Sequence, residues 1–296
     1  MMGNGVSSDK IRFVRLILVA LVLISAACAK DVVTGKTTLN YYSIDSEIRL
    51  GNYVMKQQLD ELTRAHKTYD SDKDKRQLTL LKYIVDDIAK VSHYPNFPYE
   101  VHLANLPIVN AWCAPGGKVM VYEGLWDPMR GLVQKTDVDE LAAVLAHEIA
   151  HANARHVTEA ISKNTTIYTL GSIMTGVASA GIGRTGGLFR DVFDEGFRVF
   201  VPYYSRQNEA EADRLGLYYM SKAGYDPRAM VRIWERAAKM KRGNEADIYA
   251  THPTSKKRQR LLEKYLPKAI EIFERACAEG RGRCSDRIKS FISQKK

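Results

Sequence analysis

The stretch His147-Glu148-Ile149-Ala150-His151 decides how this chain is read. It spells H-E-x-x-H inside an Ala- and Leu-rich run with helical spacing. Helical residues four apart share a face and lie about 6 Å apart along the axis. Two imidazoles so placed can bind one metal ion. Glu148 is turned about 100° from His147, which suits a residue that works on water beside the metal rather than on the metal itself. The competing reading is a helix that carries two histidines by chance.

A catalytic zinc ordinarily takes three protein ligands and leaves one position for water. In the pattern H-E-x-x-H-x-x-G-x-x-H, Gly would stand at 154 and His at 157. The chain has Ala154 and Val157, which excludes that class. His156 is one place off and reads as a surface histidine at a helix end. A later segment, Ser205-Arg206-Gln207-Asn208-Glu209-Ala210-Glu211-Ala212-Asp213, offers a carboxylate instead. Glu209 and Asp213 are four apart and share a helical face. Glu209 can bind the metal, while Asp213 accepts a hydrogen bond from a ligand imidazole and orients its ring.

The N-terminus reads as a leader. Lys10, Arg12 and Arg15 precede a short apolar run, Leu16 to Ile24, followed by Ser25-Ala26-Ala27-Cys28. A run this short is a signal peptide before it is a membrane span. Small residues directly before Cys28 resemble a bacterial lipobox, so Cys28 is the expected lipidation site, with outer-membrane anchoring toward the periplasm. Removing residues 1–27 lowers the net charge from +10 to about +8. No nucleic-acid module accompanies that charge, so a basic surface suited to an anionic membrane is the better reading. Cys277 and Cys284 flank a Gly-rich turn and are placed for a local disulfide, with two free thiols as the alternative.

Helical spacing runs over about 44–66 and 78–91. Two alternating stretches, 99–103 and 118–122, read as strands, with Pro115-Gly116-Gly117 as the turn before the second. Asp137 to Glu140 supply an N-cap for the H-E-x-x-H helix, expected from Val138 to about Ser162. The uncharged segment Thr165 to Gly183 reads as a mobile segment or lid, and helices follow at 205–223, 227–241 and 255–277. The expected organisation is a signal peptide (1–27), an N-terminal linker and helix (28–75), a catalytic domain (76–268) and a tail (269–296).

The H-E-x-x-H helix, the S-R-x-x-E-x-E-A-D segment and His252-Pro253 together resemble the HtpX-like and CAAX-prenyl-protease-like gluzincins, family forty-eight of the metallopeptidases. Asn110-Ala111-Trp112-Cys113-Ala114-Pro115-Gly116-Gly117 is similar to that family's N-A-x-x-x-P-G-G. Thr34-Gly35-Lys36 and Glu47-Ile48-Arg49-Leu50-Gly51 resemble its exported bacterial lipoprotein branch, the LoiP and BepA type. The resemblance implies an α+β, mostly helical gluzincin fold with a small sheet whose edge strand faces the cleft. It implies one zinc ion per chain on His147, His151 and Glu209, with Glu148 as general base. It leaves Asp213 between proton donor and orienting residue, and makes His252 a candidate fourth ligand that closes the site. Lys118–Tyr122 is the expected edge strand for substrate, with Asn110, Gly117 and Val119 as candidate binding residues. The implied activity is zinc endopeptidase action on unfolded or misfolded envelope proteins. The rival is a chaperone or assembly factor for outer-membrane proteins that uses the same cleft.

Overall fold

The computed structural model describes residues 28–30, 33–175, 189–194, 197–202, 204–240, 247–252 and 256–293. The expected leader lies outside these, as do residues 176–183 of the expected lid. Helix α1 (Ile44–Arg64) and helix α2 (Lys75–Val91) are followed by strands β3 (Glu100–Ala104), β4 (Ala111–Ala114) and β5 (Lys118–Tyr122). Two short N-terminal strands, β1 (Cys28–Lys30) and β2 (Thr37–Leu39), pair antiparallel ahead of them.

Helix α3 (Val138–Asn153) carries the H-E-x-x-H motif, and every one of its residues is buried. A helix buried around its whole circumference lies inside the core, and its polar side chains must then find partners there. Its start follows from the Asp137 side chain, which accepts the backbone N–H groups of Asp139 and Glu140. Its buried Glu140 is held by both terminal nitrogens of Arg236, each at 2.9 Å.

The helix does not run on to Ser162 as its spacing predicts. It ends at Asn153, and helix α4 (His156–Thr175) begins after a turn. Arg155 takes φ +56° in that turn. Left-handed backbone is costly for a side-chain-bearing residue and is kept where its surroundings over-determine it. Here they do. Arg155 Nε donates to Glu47 Oε1 at 2.8 Å, and its guanidinium also donates to the Tyr42 carbonyl.

The sheet order is β3-β5-β4, with β3 parallel and β4 antiparallel to β5. This corrects the expectation that Lys118–Tyr122 is an edge. β5 is the central strand, and all five of its residues are buried. The edge toward the catalytic helix is β4. Alternate residues of β4 face two cores. Ala111 and Cys113 pack with α2 and α3, whereas Trp112 and Ala114 pack with Val54, Met55 and Leu62 of α1. Gly116 and Gly117, at φ +74° and +87°, let the chain reverse between β4 and β5.

A hairpin of β6 (Phe189–Asp194) and β7 (Phe197–Pro202) follows, antiparallel, where the sequence reading placed no strand. Helix α5 (Arg206–Lys222) starts at a capping box between Ser205 and Asn208. It crosses α3 at Gly216, where an added Cβ would stand 3.0 Å from the carbonyl oxygen of Ala146 and the nitrogen of His147. That close approach brings the acidic face of α5 to the H-E-x-x-H helix. Helices α6 (Arg228–Lys239), α7 (Ile248–Thr251), α8 (Lys256–Ala278) and α9 (Asp286–Ser293) complete the described chain. Cys277, near the end of α8, forms a disulfide with Cys284 in the turn before α9. Among the described residues, no helix is long and apolar enough to cross a membrane.

Candidate active site

His147 and His151 project from one face of α3, Glu209 from α5, and His252 from the end of α7. One ligand atom from each of the four lies within 4.8 Å of all the others, and all four side chains are buried. The Nε2 atoms of His147 and His151 are 3.1 Å apart. Glu209 Oε2 is 3.5 Å from Nε2 of His147, and its Oε1 is 3.4 Å from Nε2 of His151. His252 Nδ1 stands 3.0 Å from Glu209 Oε1 and 3.3 Å from His147 Nε2.

The convergence of these atoms tests whether a metal fits. Two imidazole nitrogens facing each other can share at most one proton, and here a third nitrogen and a carboxylate join them. Away from water such a set is costly unless a cation sits among the lone pairs. Three imidazoles and one carboxylate, all buried, are a donor set that zinc takes.

Glu148 stands beside this cluster and is fully buried. Its Oε1 is 3.5 Å from His252 Nε2. Burial pushes the Glu148 carboxyl up to about 7, helped by the charge on Glu209. His252, the Cys113 backbone N–H and Arg258 pull the other way. A carboxyl so placed can hold or release a proton near neutral pH.

Asp213 stands behind the cluster. Its Oδ1 is 3.1 Å from Nδ1 of His147, on the side of the ring away from the other donors. Arg258 of α8 donates to both Asp213 oxygens, at 2.6 and 2.7 Å, and its Nη1 is 2.7 Å from Glu209 Oε2. Burial alone would raise both acids; His252 and Arg258 hold Glu209 well below the usual carboxylate range, and Arg258 holds Asp213 below it. The guanidinium also lies over the Trp234 ring, 4.5 Å from its centroid, and Trp234 meets the edge of His147. Tyr204 stacks on the other histidine, His151, with ring centroids 3.6 Å apart.

The structure thus brings His147, Glu148, His151, Glu209, Asp213 and His252 together. The three substrate-binding candidates are placed differently. Val119 pairs with Val101 on one side and Cys113 on the other, so its main chain is not open to a substrate strand. Gly117 lies in the turn against the Tyr99 ring. Asn110 is buried just before β4, and its Oδ1 accepts the Ala111 N–H at 2.8 Å.

Sequence reading missed four residues of the site. Tyr204 and Trp234 carry no spacing signal. Nothing in the sequence says which acids Arg258 meets. His156 is a correction: it is buried rather than on the surface, because the turn at Arg155 carries it back beneath His151.

Comparison with known proteins agrees with this geometry. The model of peptidase family M48 matches residues 75–266. The mitochondrial metalloendopeptidase OMA1 of Schizosaccharomyces pombe is 34% identical over 244 residues, covering 80% of this chain and 66% of that protein. The OMA1 of Arabidopsis thaliana is 36% identical over 188 residues, 62% of this chain and 36% of its own length. The beta-barrel assembly-enhancing protease of Escherichia coli is 28% identical over 238 residues, 76% of this chain and 44% of its own length. The chain therefore spans from about a third to two thirds of these relatives. With the H-E-x-x-H helix, the carboxylate of α5 and a matched segment that takes in both, the chain belongs to peptidase family M48.

Proposed function

We propose that the chain is a zinc endopeptidase whose metal is held by His147, His151 and Glu209, with Glu148 as general base. The observation that carries the reading is the buried convergence of those three side chains beside the buried carboxyl of Glu148. Zinc bound there would supply Lewis acidity, polarising the scissile carbonyl and making water easier to deprotonate. Glu148 would take the proton of the attacking water on its carboxylate and return it to the leaving amine. Asp213 fixes the His147 ring by accepting from Nδ1, and Arg258 keeps that acid ionised.

The unpaired edge of β4 is the better place for substrate. It pairs with β5 on one side only, and the Cys113 N–H on its other side acts on Glu148. An extended polypeptide can add to such an edge through main-chain hydrogen bonds, with little demand on side chains. That favours unfolded or misfolded protein substrates. The lipobox-like Ser25–Cys28 supports an envelope protein anchored through a lipid on Cys28 and facing the periplasm. His252 Nδ1, 3.0 Å from Glu209 Oε1, would be a fourth donor to that metal, and this reading makes His252 a latch that closes the site at rest.

The test is to count zinc in the purified chain and compare the wild type with Glu148→Gln on an unfolded protein. One zinc per chain is expected in both, with cleavage lost by roughly 10²–10⁴-fold in the variant. A wild type without zinc, or cleavage indifferent to the substitution, would overturn the reading. Anchoring has its own check: Cys28→Ser is expected to leave the membrane fraction.

A further inference from the structure

On an uninterrupted helix, His156 would lie five residues and about 140° around from His151, facing elsewhere. The left-handed turn at Arg155 changes this. His156 Nδ1 stands 2.9 Å from Nδ1 of His151, and both rings are buried. The other nitrogen of His156, Nε2, is 3.3 Å from Glu211 Oε2. Glu211 Oε1 in turn is 2.8 Å from Nζ of Lys36, in the segment that precedes β2.

We infer that His156 is the positioning residue of His151, and that His156, Glu211 and Lys36 form a hydrogen-bonded chain behind this zinc ligand. This rests on His151 being a ligand through Nε2, the atom that faces His147 and Glu209. The direction of every hydrogen bond then follows. A neutral imidazole that offers Nε2 to a metal carries its proton on Nδ1. His151 Nδ1 therefore donates to His156 Nδ1, which must be an unprotonated acceptor. The His156 proton sits on Nε2 and donates to Glu211, and Lys36 donates to the other Glu211 oxygen. No polar atom of the chain is left facing the wrong way. The two ligand histidines are thus oriented by different means: His147 by the Asp213–Arg258 pair, and His151 by a second imidazole with a carboxylate behind it.

Two measurements test this. Selective ¹⁵N labelling of the seven histidines in the zinc-loaded full chain reads the tautomers directly, with no substitution. His151 is expected as the Nδ1–H form and His156 as the Nε2–H form. His156 found as the Nδ1–H form overturns the inference. The second measurement is zinc affinity, by competition with a chromophoric chelator, in His156→Leu and His156→Asn. Leu removes the acceptor, and affinity is expected to fall roughly 10–100-fold. Asn keeps an oxygen at the Nδ1 position and is expected to recover most of that loss. Thermal unfolding of the metal-free chains separates a folding defect from a ligand defect. Zinc bound by the wild type and held equally well by folded His156→Leu overturns this inference alone. A wild type that takes up no zinc overturns it together with the metal-site reading beneath it.

Discussion

Arg258 grips Asp213 with two N–H groups, Nε to Oδ2 at 2.6 Å and Nη2 to Oδ1 at 2.7 Å, and both side chains are buried. This pair favours an orienting role for Asp213 over a proton-donating one. Asp213 faces the rear of His147 rather than the donor cluster, and its carboxyl is held below the usual range. An acid so clamped is poorly suited to give up a proton, and well suited to orient a ring.

Asp213→Asn is therefore expected to act on metal binding first. Zinc affinity should fall roughly 10–100-fold, as for loss of other partners behind a metal ligand. Cleavage should recover when zinc is added in excess. Chelator competition and activity at saturating zinc check this together. Activity that stays low at full zinc occupancy would return Asp213 to a proton-donor role.

His252→Ala should open the site. If the closed state is favoured by about 1.4 kcal/mol, activity on an unfolded protein rises roughly tenfold. Zinc content should stay at one per chain, since His147, His151 and Glu209 remain. A fall in activity with zinc retained would show His252 assisting the reaction and would rule out the latch.

Gly216 is the contact that lets α5 reach α3. A Cβ there would meet the Ala146 carbonyl oxygen and the His147 nitrogen at 3.0 Å, and these are backbone atoms that cannot rotate aside. Gly216→Val is expected to cost roughly 1–3 kcal/mol of stability through overpacking. It should also weaken zinc binding, because it moves Glu209 away from the two histidines. Denaturant unfolding and chelator competition measure the two effects. A variant with wild-type values for both would show that the helices separate freely.

Another charged cluster lies away from the site. His102 of β3 sits between two acids, with Nδ1 2.6 Å from Asp70 Oδ2 and Nε2 3.0 Å from Glu100 Oε1. Burial lowers its pKa, but Asp70 and then Glu100 outweigh it and raise the value above 6.5. A histidine with a raised folded pKa contributes its full stability below the unfolded value, about 6.5, and loses it as pH climbs through the folded value. The stability gap between wild type and His102→Gln should therefore be wider at pH 6 than at pH 8.5. Equal gaps in unfolding free energy at the two pH values would contradict this.

Local periodicity accounts for what the sequence by itself determined. His147 and His151 share a face because they are four apart on a helix, and Glu209 and Asp213 share one for the same reason. Asp137 marks the start of α3 because a short carboxylate can accept the first free N–H groups of a helix. The spacing beyond His151 also excluded a third histidine ligand of the H-x-x-G-x-x-H kind, since Ala154 and Val157 stand there.

Only the tertiary structure decided the rest. Strand β5 is buried on both faces and paired on both edges, so its alternation could not reveal that it is central and that β4 is an edge strand. The break at Arg155 is imposed by Glu47 and Tyr42, more than a hundred residues earlier, and no local signal predicts it. That break turns His156 from a helix-end histidine into a buried partner of His151. The same holds for Arg258, whose three contacts with Asp213 and Glu209 exist only because α8 packs against α5. Side-chain spacing within one helix is written in the chain. Which buried charge meets which is set by packing between elements, where the requirement to pair every buried polar group selects the partner.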